Sequence, residues 1–219
     1  MKKTALLIIM LVMGQVLTLR AENTDVSGID NVVYINPVSV QAGTTQLSLP
    51  IYMKNTAEIR GLQFDLYLPE GATIEFNKKG KFVNEPVFNE DRLPEDDEHT
   101  IQGAVQGSGA VRFLINSQYE ETFTGNDGVL FTVTVTLSSD MAVGDYPIEM
   151  KSIKLSESDI NNYYTTEVVK STLSITSTTK VSDIISNDSE SGIYNLSGQK
   201  TETTQKGINI IDGRKILIQ

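Results

Sequence analysis

The chain has 219 residues, 39% of them hydrophobic, with no cysteine, no tryptophan, one histidine and a net charge of −10 at pH 7. Without cysteine no disulfide can hold the fold, so stability has to come from a buried core, which a chain of this length can supply. The excess of carboxylates repels a phosphate backbone and argues against nucleic acid as a partner.

At the N-terminus, Lys2 and Lys3 precede an apolar run from Ala5 to Leu19, followed by Arg20-Ala21 and polar chain. A basic start, an apolar stretch and a small residue before polar sequence describe a secretory signal peptide over residues 1–21, with cleavage after Ala21. The run is shorter than the roughly 20 residues that cross a bilayer, and it contains Gln15. The mature protein is therefore expected to be extracellular or on the cell surface, with the periplasm as the other destination, and to carry no transmembrane anchor. Loss of Lys2, Lys3 and Arg20 takes the net charge from −10 to −13, which keeps an exported protein soluble and apart from its copies.

From about residue 31 to 176 the dominant signal is alternation with a period of two. Leu47, Leu49, Ile51 and Met53 alternate with Gln46, Ser48, Pro50 and Tyr52. Leu62, Phe64, Leu66 and Leu68 alternate with Gln63, Asp65 and Tyr67, and Phe131, Val133, Val135 and Leu137 alternate with Thr132, Thr134 and Thr136. Each pattern predicts a strand with one face in the core and one in water. Pro50 cannot donate to a ladder, so its strand is expected to lie at an edge or to bulge there. Further strands are expected over 32–36, 72–76, 100–105, 111–116, 146–150 with Ile153 and Leu155, and 167–175. Turn signals separate them, among them Pro69-Glu70-Gly71 and Asn126-Asp127-Gly128. About nine short antiparallel strands and no amphipathic helix predict an all-β sandwich.

Within this region, Asn89–His99 (NEDRLPEDDEH) crowds six carboxylates. Their spacing fits no calcium-loop motif, so the stretch reads as a solvated acidic loop, with no metal and no cofactor expected. His99, the only histidine, reads as a solvated loop side chain, and no second residue completes a catalytic arrangement with it. Carboxylate pairs suited to glycoside hydrolysis arise by chance among 28 acidic residues. No enzyme is expected.

The outward faces of the strong strands offer more. Gln63, Asp65 and Tyr67, together with Thr132, Thr134 and Thr136 and with Tyr52, form a flat polar face if their strands share a sheet. Such a face suits protein recognition, or tyrosine stacking on a sugar ring; β-propensity alone also places Thr and Tyr there. Tyr163-Tyr164 is a second aromatic candidate.

Residues 177–190 are rich in Ser, Thr and Asp and read as a linker. Beyond it, Gly192–Lys200 (GIYNLSGQK) is expected to turn at Ser197-Gly198. Asp212-Gly213 is a strong hairpin signal joining Ile208–Ile211 to 214–218. That pairing places Ile211, Ile216 and Ile218 on one face and Ile208, Ile210 and Leu217 on the other. With so few apolar residues, the segment 191–219 is not expected to be stable alone.

The order of VSVQAGTTQLSLPIYMKN, IRGLQFDLYLPEGATI, GAVRFLINS, GNDGVLFTVTVTL and GDYPIEM resembles cohesin-like domains and the related carbohydrate-binding β-sandwiches of bacterial polysaccharide-degrading systems. The resemblance covers about 31–176 and implies a nine-stranded jelly roll that binds a protein partner on a sheet face, as cohesins bind dockerins. No duplicated calcium loop of dockerin type occurs in this chain. The segment 191–219, through Gly192–Gly198, Lys206-Gly207-Ile208 and Asp212–Ile216, resembles the short C-terminal segments of secreted Bacteroidetes proteins. That likeness implies a Bacteroidetes-like source and a sorting role akin to type IX secretion signals. The expected function is therefore a non-catalytic, cohesin-like module that recognises a dockerin-like or surface protein within a polysaccharide-degrading system. The alternative is a module that binds polysaccharide directly, which the absence of tryptophan disfavours.

Overall fold

The computed structural model describes residues 22–157, 162–177, 192–195, 198–211 and 214–218. The expected signal peptide, nearly all of the 177–190 stretch and the Asp212-Gly213 turn lie outside the described residues. Among the described residues no helix is long and apolar enough to cross a membrane. The chain divides into two compact units, Met1–Thr178 and Thr179–Gln219.

The first unit is a sandwich of two sheets. One is built from β1 (Val32–Tyr34), β3 (Gln46–Lys54), β9 (Val129–Leu137) and β5 (Ala72–Thr73) in that order, with β6 (Val87–Phe88) also pairing β9. The other runs β2 (Val38–Gln41), β11 (Tyr163–Thr176), β10 (Gly144–Glu157), β4 (Ile59–Tyr67), β8 (Val111–Ser117), β7 (His99–Val105). Pairing is antiparallel throughout except between β2 and β11, which run parallel. Among the described residues eleven strands thus stand where about nine were expected, and the difference is the short β2 and β6.

The alternating patterns do what their period requires. Leu49, Ile51 and Met53, Leu62, Phe64 and Leu66, and Phe131, Val133 and Val135 all point into one core. Phe64 stacks on Phe113 at 5.0 Å, and Phe131 of the facing sheet lies 6.4 Å from Phe64 and 5.9 Å from Phe113. β1 stops opposite Tyr52, so the flank of β3 beyond it carries no ladder partner at Pro50, and the register with β9 shifts between Ile51 and Tyr52.

Two local features, a short strand and a bulge, were not expected. Val38–Gln41 forms a strand too short and too polar for its period to show. Residues 146–150 and 153–155 belong to one strand, β10, whose register against β4 shifts between Lys151 and Lys154. Ser152 sits inside that shift at φ 53, a β-bulge that resets the alternation so that Met150, Ile153 and Leu155 all face inward.

The second unit is a four-stranded sheet in the order β13 (Lys200–Thr201), β12 (Ile193–Tyr194), β14 (Gly207–Ile211), β15 (Arg214–Ile218). Ile211 pairs with Arg214 and Ile208 with Leu217, which is the register of a two-residue turn. Asn209 is buried, accepting from the Gln205 N–H and donating to the Gln205 and Gly207 carbonyls, so it pins the connection into β14.

Candidate functional site

β4 and β9 lie in different sheets, so the seven residues proposed from sequence divide into two groups on opposite outer faces. Gln63, Asp65 and Tyr67 point outward from the centre of the six-stranded sheet. Tyr52, Thr132, Thr134 and Thr136 point outward from the five-stranded sheet.

On the six-stranded sheet, register places Arg112, Leu114 and Asn116 of β8 beside Asp65, Gln63 and Gly61, and Lys151, Lys154 and Ser156 of β10 on their other side. Arg112 grips Asp65 with two parallel bonds, Nε to Oδ1 at 2.6 Å and Nη2 to Oδ2 at 2.8 Å, the geometry that makes Arg–carboxylate pairs directional. Asp65 is 6% exposed, and the Arg112 bonds, helped by the Ser152 side chain, hold its carboxyl below the usual range. Lys151 bonds Glu149 at 2.7 Å and lies over the Tyr67 ring at 4.6 Å; the bond to Glu149 raises its pKa. Lys154 lies 3.9 Å over the ring of Tyr163, which opens β11 and is exposed. Leu114 is 43% exposed among these polar groups.

A shallow depression interrupts the face between Gln63, Leu114, Asn116, Lys154 and Ser156. Gly61 forms its floor, where a Cβ would come within 2.9 Å of the Ile115 carbonyl oxygen. The face therefore offers cations, carboxamides, one apolar side chain and an aromatic ring, held by pairing rather than free to swing. Arg112, Leu114, Lys151 and Lys154 were missed from sequence. Their signal, outward parity on strands flanking β4, becomes usable only once strand neighbours are known.

On the five-stranded sheet Tyr52 stacks on Tyr34 with centroids 5.3 Å apart. Burial, followed by a hydrogen bond to Asp127 at 3.1 Å, pushes the Tyr34 phenol up to about 12. Thr136 donates to Glu75 at 3.1 Å.

The acidic stretch differs from its expectation at two residues. Glu90, Asp91, Glu95, Asp96 and Glu98 are exposed, but Arg92 and His99 are buried. Residues Glu90–Arg92 form a 3-10 turn capped by Asn89, which swings Arg92 inward. There it donates to the carbonyls of Thr124 at 2.6 Å and Met53 at 3.0 Å, and to Asn55 Oδ1 at 2.7 Å. His99 begins β7, so strand parity turns its ring into the core, where it stacks on Phe123 at 4.1 Å. It is not a solvated loop side chain.

No family model matches the sequence, and no curated protein matches it either. Solved structures do. A chain of the Coh-OlpA-Doc918 complex, a type I cohesin–dockerin complex from Clostridium thermocellum, superposes with a TM-score of 0.52 at 18% identity, over 66% of this chain and 98% of that one. A chain of the complex between CaCohA2 of Clostridium acetobutylicum and a CaDoc0917 variant gives 0.53 at 11% identity, with coverages of 66% and 98%. The sandwich is cohesin-like. At these identities the likeness concerns the fold, and its span matches one whole cohesin-sized chain while leaving a third of this protein outside it.

Proposed function

We propose that this protein is an exported, non-catalytic binding module that recognises a protein partner, dockerin-like or a surface protein, through the outer face of the six-stranded sheet, in a polysaccharide-degrading system. The observation that carries the reading is the preorganised patch around Asp65–Arg112. There Gln63, Asp65, Tyr67 and Leu114 present mixed chemistry on paired strands that lose little entropy on binding. The two cohesin-like neighbours come from complexes named for cohesin and dockerin, which supports a protein as the partner class.

The test is affinity capture from the secretome of the source organism on immobilised protein. Tyr67→Ala, Asp65→Asn and Leu114→Asp are compared with Thr134→Lys on the opposite sheet. Capture of one protein that is lost in the first three and kept in the fourth supports the face. Capture unaffected by all four, or lost only with Thr134→Lys, refutes it.

A second reading, direct polysaccharide binding, draws on the stacked Tyr34 and Tyr52 beside Thr132, Thr134 and Thr136, an aromatic platform on the other sheet. Retardation in a polysaccharide affinity gel, abolished by Tyr52→Ala, would favour it. The C-terminal segment is proposed as a sorting element: deleting residues 191–219 is expected to leave the sandwich folded and to change where the protein accumulates.

A further inference from the structure

We propose that Asp97, His99 and Glu121 form a binding site for one divalent transition-metal ion of the zinc class. One ligand atom from each of the three lies within 4.8 Å of the others. Two carboxylates alone would mean little on so acidic a protein. The imidazole is what distinguishes the place.

The His99 side chain is 0% exposed, stacked on Phe123 at 4.1 Å with Phe88 edge-on at 6.4 Å. Its Nε2 lies 3.1 Å from the Arg60 carbonyl oxygen. A carbonyl oxygen only accepts, so Nε2 must carry the hydrogen. In the neutral ring Nδ1 is then a bare lone pair, and it faces Asp97 Oδ1 at 2.5 Å, another group that only accepts when ionised. A lone pair buried against a carboxylate needs a positive charge between them, and the candidates are a proton or a metal ion.

The surroundings match a metal site beyond the donor set. A histidine ligand usually donates its second N–H to a carbonyl or carboxylate, which fixes tautomer and ring angle, and the Arg60 carbonyl does this here. Glu121 is held as well, its Oε2 accepting from the Glu98 N–H at 2.8 Å and from Ser117 Oγ at 3.0 Å. One nitrogen with two carboxylates suits zinc or its neighbours in the first transition row and falls short of the six to eight oxygens that calcium takes.

A gap of 2.5 Å accommodates a proton. An ion about 2.1 Å from each donor requires the Asp97 oxygen to swing back by somewhat under 1 Å, and the Asp97 side chain is 18% exposed and reaches solvent. Loading is therefore an exchange: the proton that lies between Nδ1 and Asp97 Oδ1 leaves to solvent and the metal takes the nitrogen lone pair, one proton for one ion.

His99 is the only histidine, so a single imidazole reports on the site. The experiment titrates the purified full chain with Zn2+ by calorimetry at mildly acidic pH, in two buffers of different ionisation enthalpy. In parallel, 15N NMR follows the imidazole nitrogens. The expected result is one ion per chain, release of about one proton, movement of the Nδ1 resonance to a metal-bound position, and at least tenfold weaker binding in Glu121→Gln with circular dichroism unchanged. Asp97→Asn is the second variant, with the same expected loss. Absence of Zn2+ binding overturns the proposal. So does binding that leaves His99 protonated, or binding that neither variant weakens, because the ion then sits on surface carboxylates.

Discussion

Replacing Arg92 with methionine tests whether a buried cation, rather than the apolar core alone, fixes the end of the sandwich where β3 leaves its sheet. The guanidinium is 3% exposed and spends its donors on Thr124 O, Met53 O and Asn55 Oδ1. Among the described residues no carboxylate forms an ion pair with it, and burial lowers its pKa. Methionine keeps most of the stem's packing and strands three acceptors. At roughly 1 kcal/mol or somewhat more for each buried acceptor left unsatisfied, the loss is about 3–4 kcal/mol. Relief of the desolvation that charging the group costs offsets part of it, leaving about 3 kcal/mol. For a domain of this size 1 kcal/mol moves Tm by about 2–4 °C, so R92M is expected to melt about 6–12 °C below wild type by circular dichroism, with a matching fall in the urea midpoint. Asn55→Leu combined with R92M should cost less than the two single changes added together, because each removes the other's partner. A shift under about 2 °C for R92M would show that water fills the cage without penalty and would refute the reasoning.

Asp65 has a folded pKa below its unfolded one, so its stabilising effect is present above roughly pH 4 and is lost as pH falls through the depressed folded value. Asp65→Asn is expected to be less stable than wild type at neutral pH, with the difference closing in acid; parallel acid limbs in denaturation titrations would contradict this. Tyr34 behaves oppositely. Its phenol is pushed up to about 12, so its contribution holds below an unfolded value of roughly 10 and disappears as pH rises through about 12. Difference ultraviolet titration should show a late-ionising tyrosine near pH 12 that Tyr34→Phe removes, while Tyr164, raised by its bond to Glu157, still ionises late. Gly103→Ala would place a Cβ 2.2 Å from Phe82 Cζ. Phe82 is wedged against Phe76 and Phe113, so the expected destabilisation is about 1–3 kcal/mol, measured by urea unfolding. Recovery in Gly103→Ala/Phe82→Leu would confirm the clash as its source.

Much of the fold was legible because alternation survives wherever one face is wet. Phe64, Phe131 and Val133 announce their direction by their neighbours, and the hairpin register at 208–218 follows from the turn length. What failed to show depends on distant partners. Val38–Gln41 is a strand only because β11 lies alongside it, and Val87–Phe88 only because β9 does. His99 looks solvated among Asp96, Asp97 and Glu98 until the start of β7 turns its ring inward, and Arg92 looks solvated until a single 3-10 turn reverses it. The candidate face suffered from the same limit. Parity correctly placed Gln63, Asp65 and Tyr67 outward, yet parity says nothing about which sheet a strand joins. Thr132, Thr134 and Thr136 were therefore grouped with residues on the far side of the molecule, while Leu114 and Arg112, one strand away, went unremarked.

The parallel pairing of β2 with β11 sets an order of events. Val38–Gln41 is made early, but Leu173–Thr176, against which it pairs, is made more than 130 residues later. Thr24 waits for Lys170 in the same way. Contacts this remote make closure slow relative to local hairpins such as β7–β8. A chain emerging N-terminus first from a ribosome pairs β1 with β3 early but holds β2 without its partner until nearly the whole sandwich is out. The second strand to be made is thus among the last to be fixed, and the edge it forms closes only when β11 is complete.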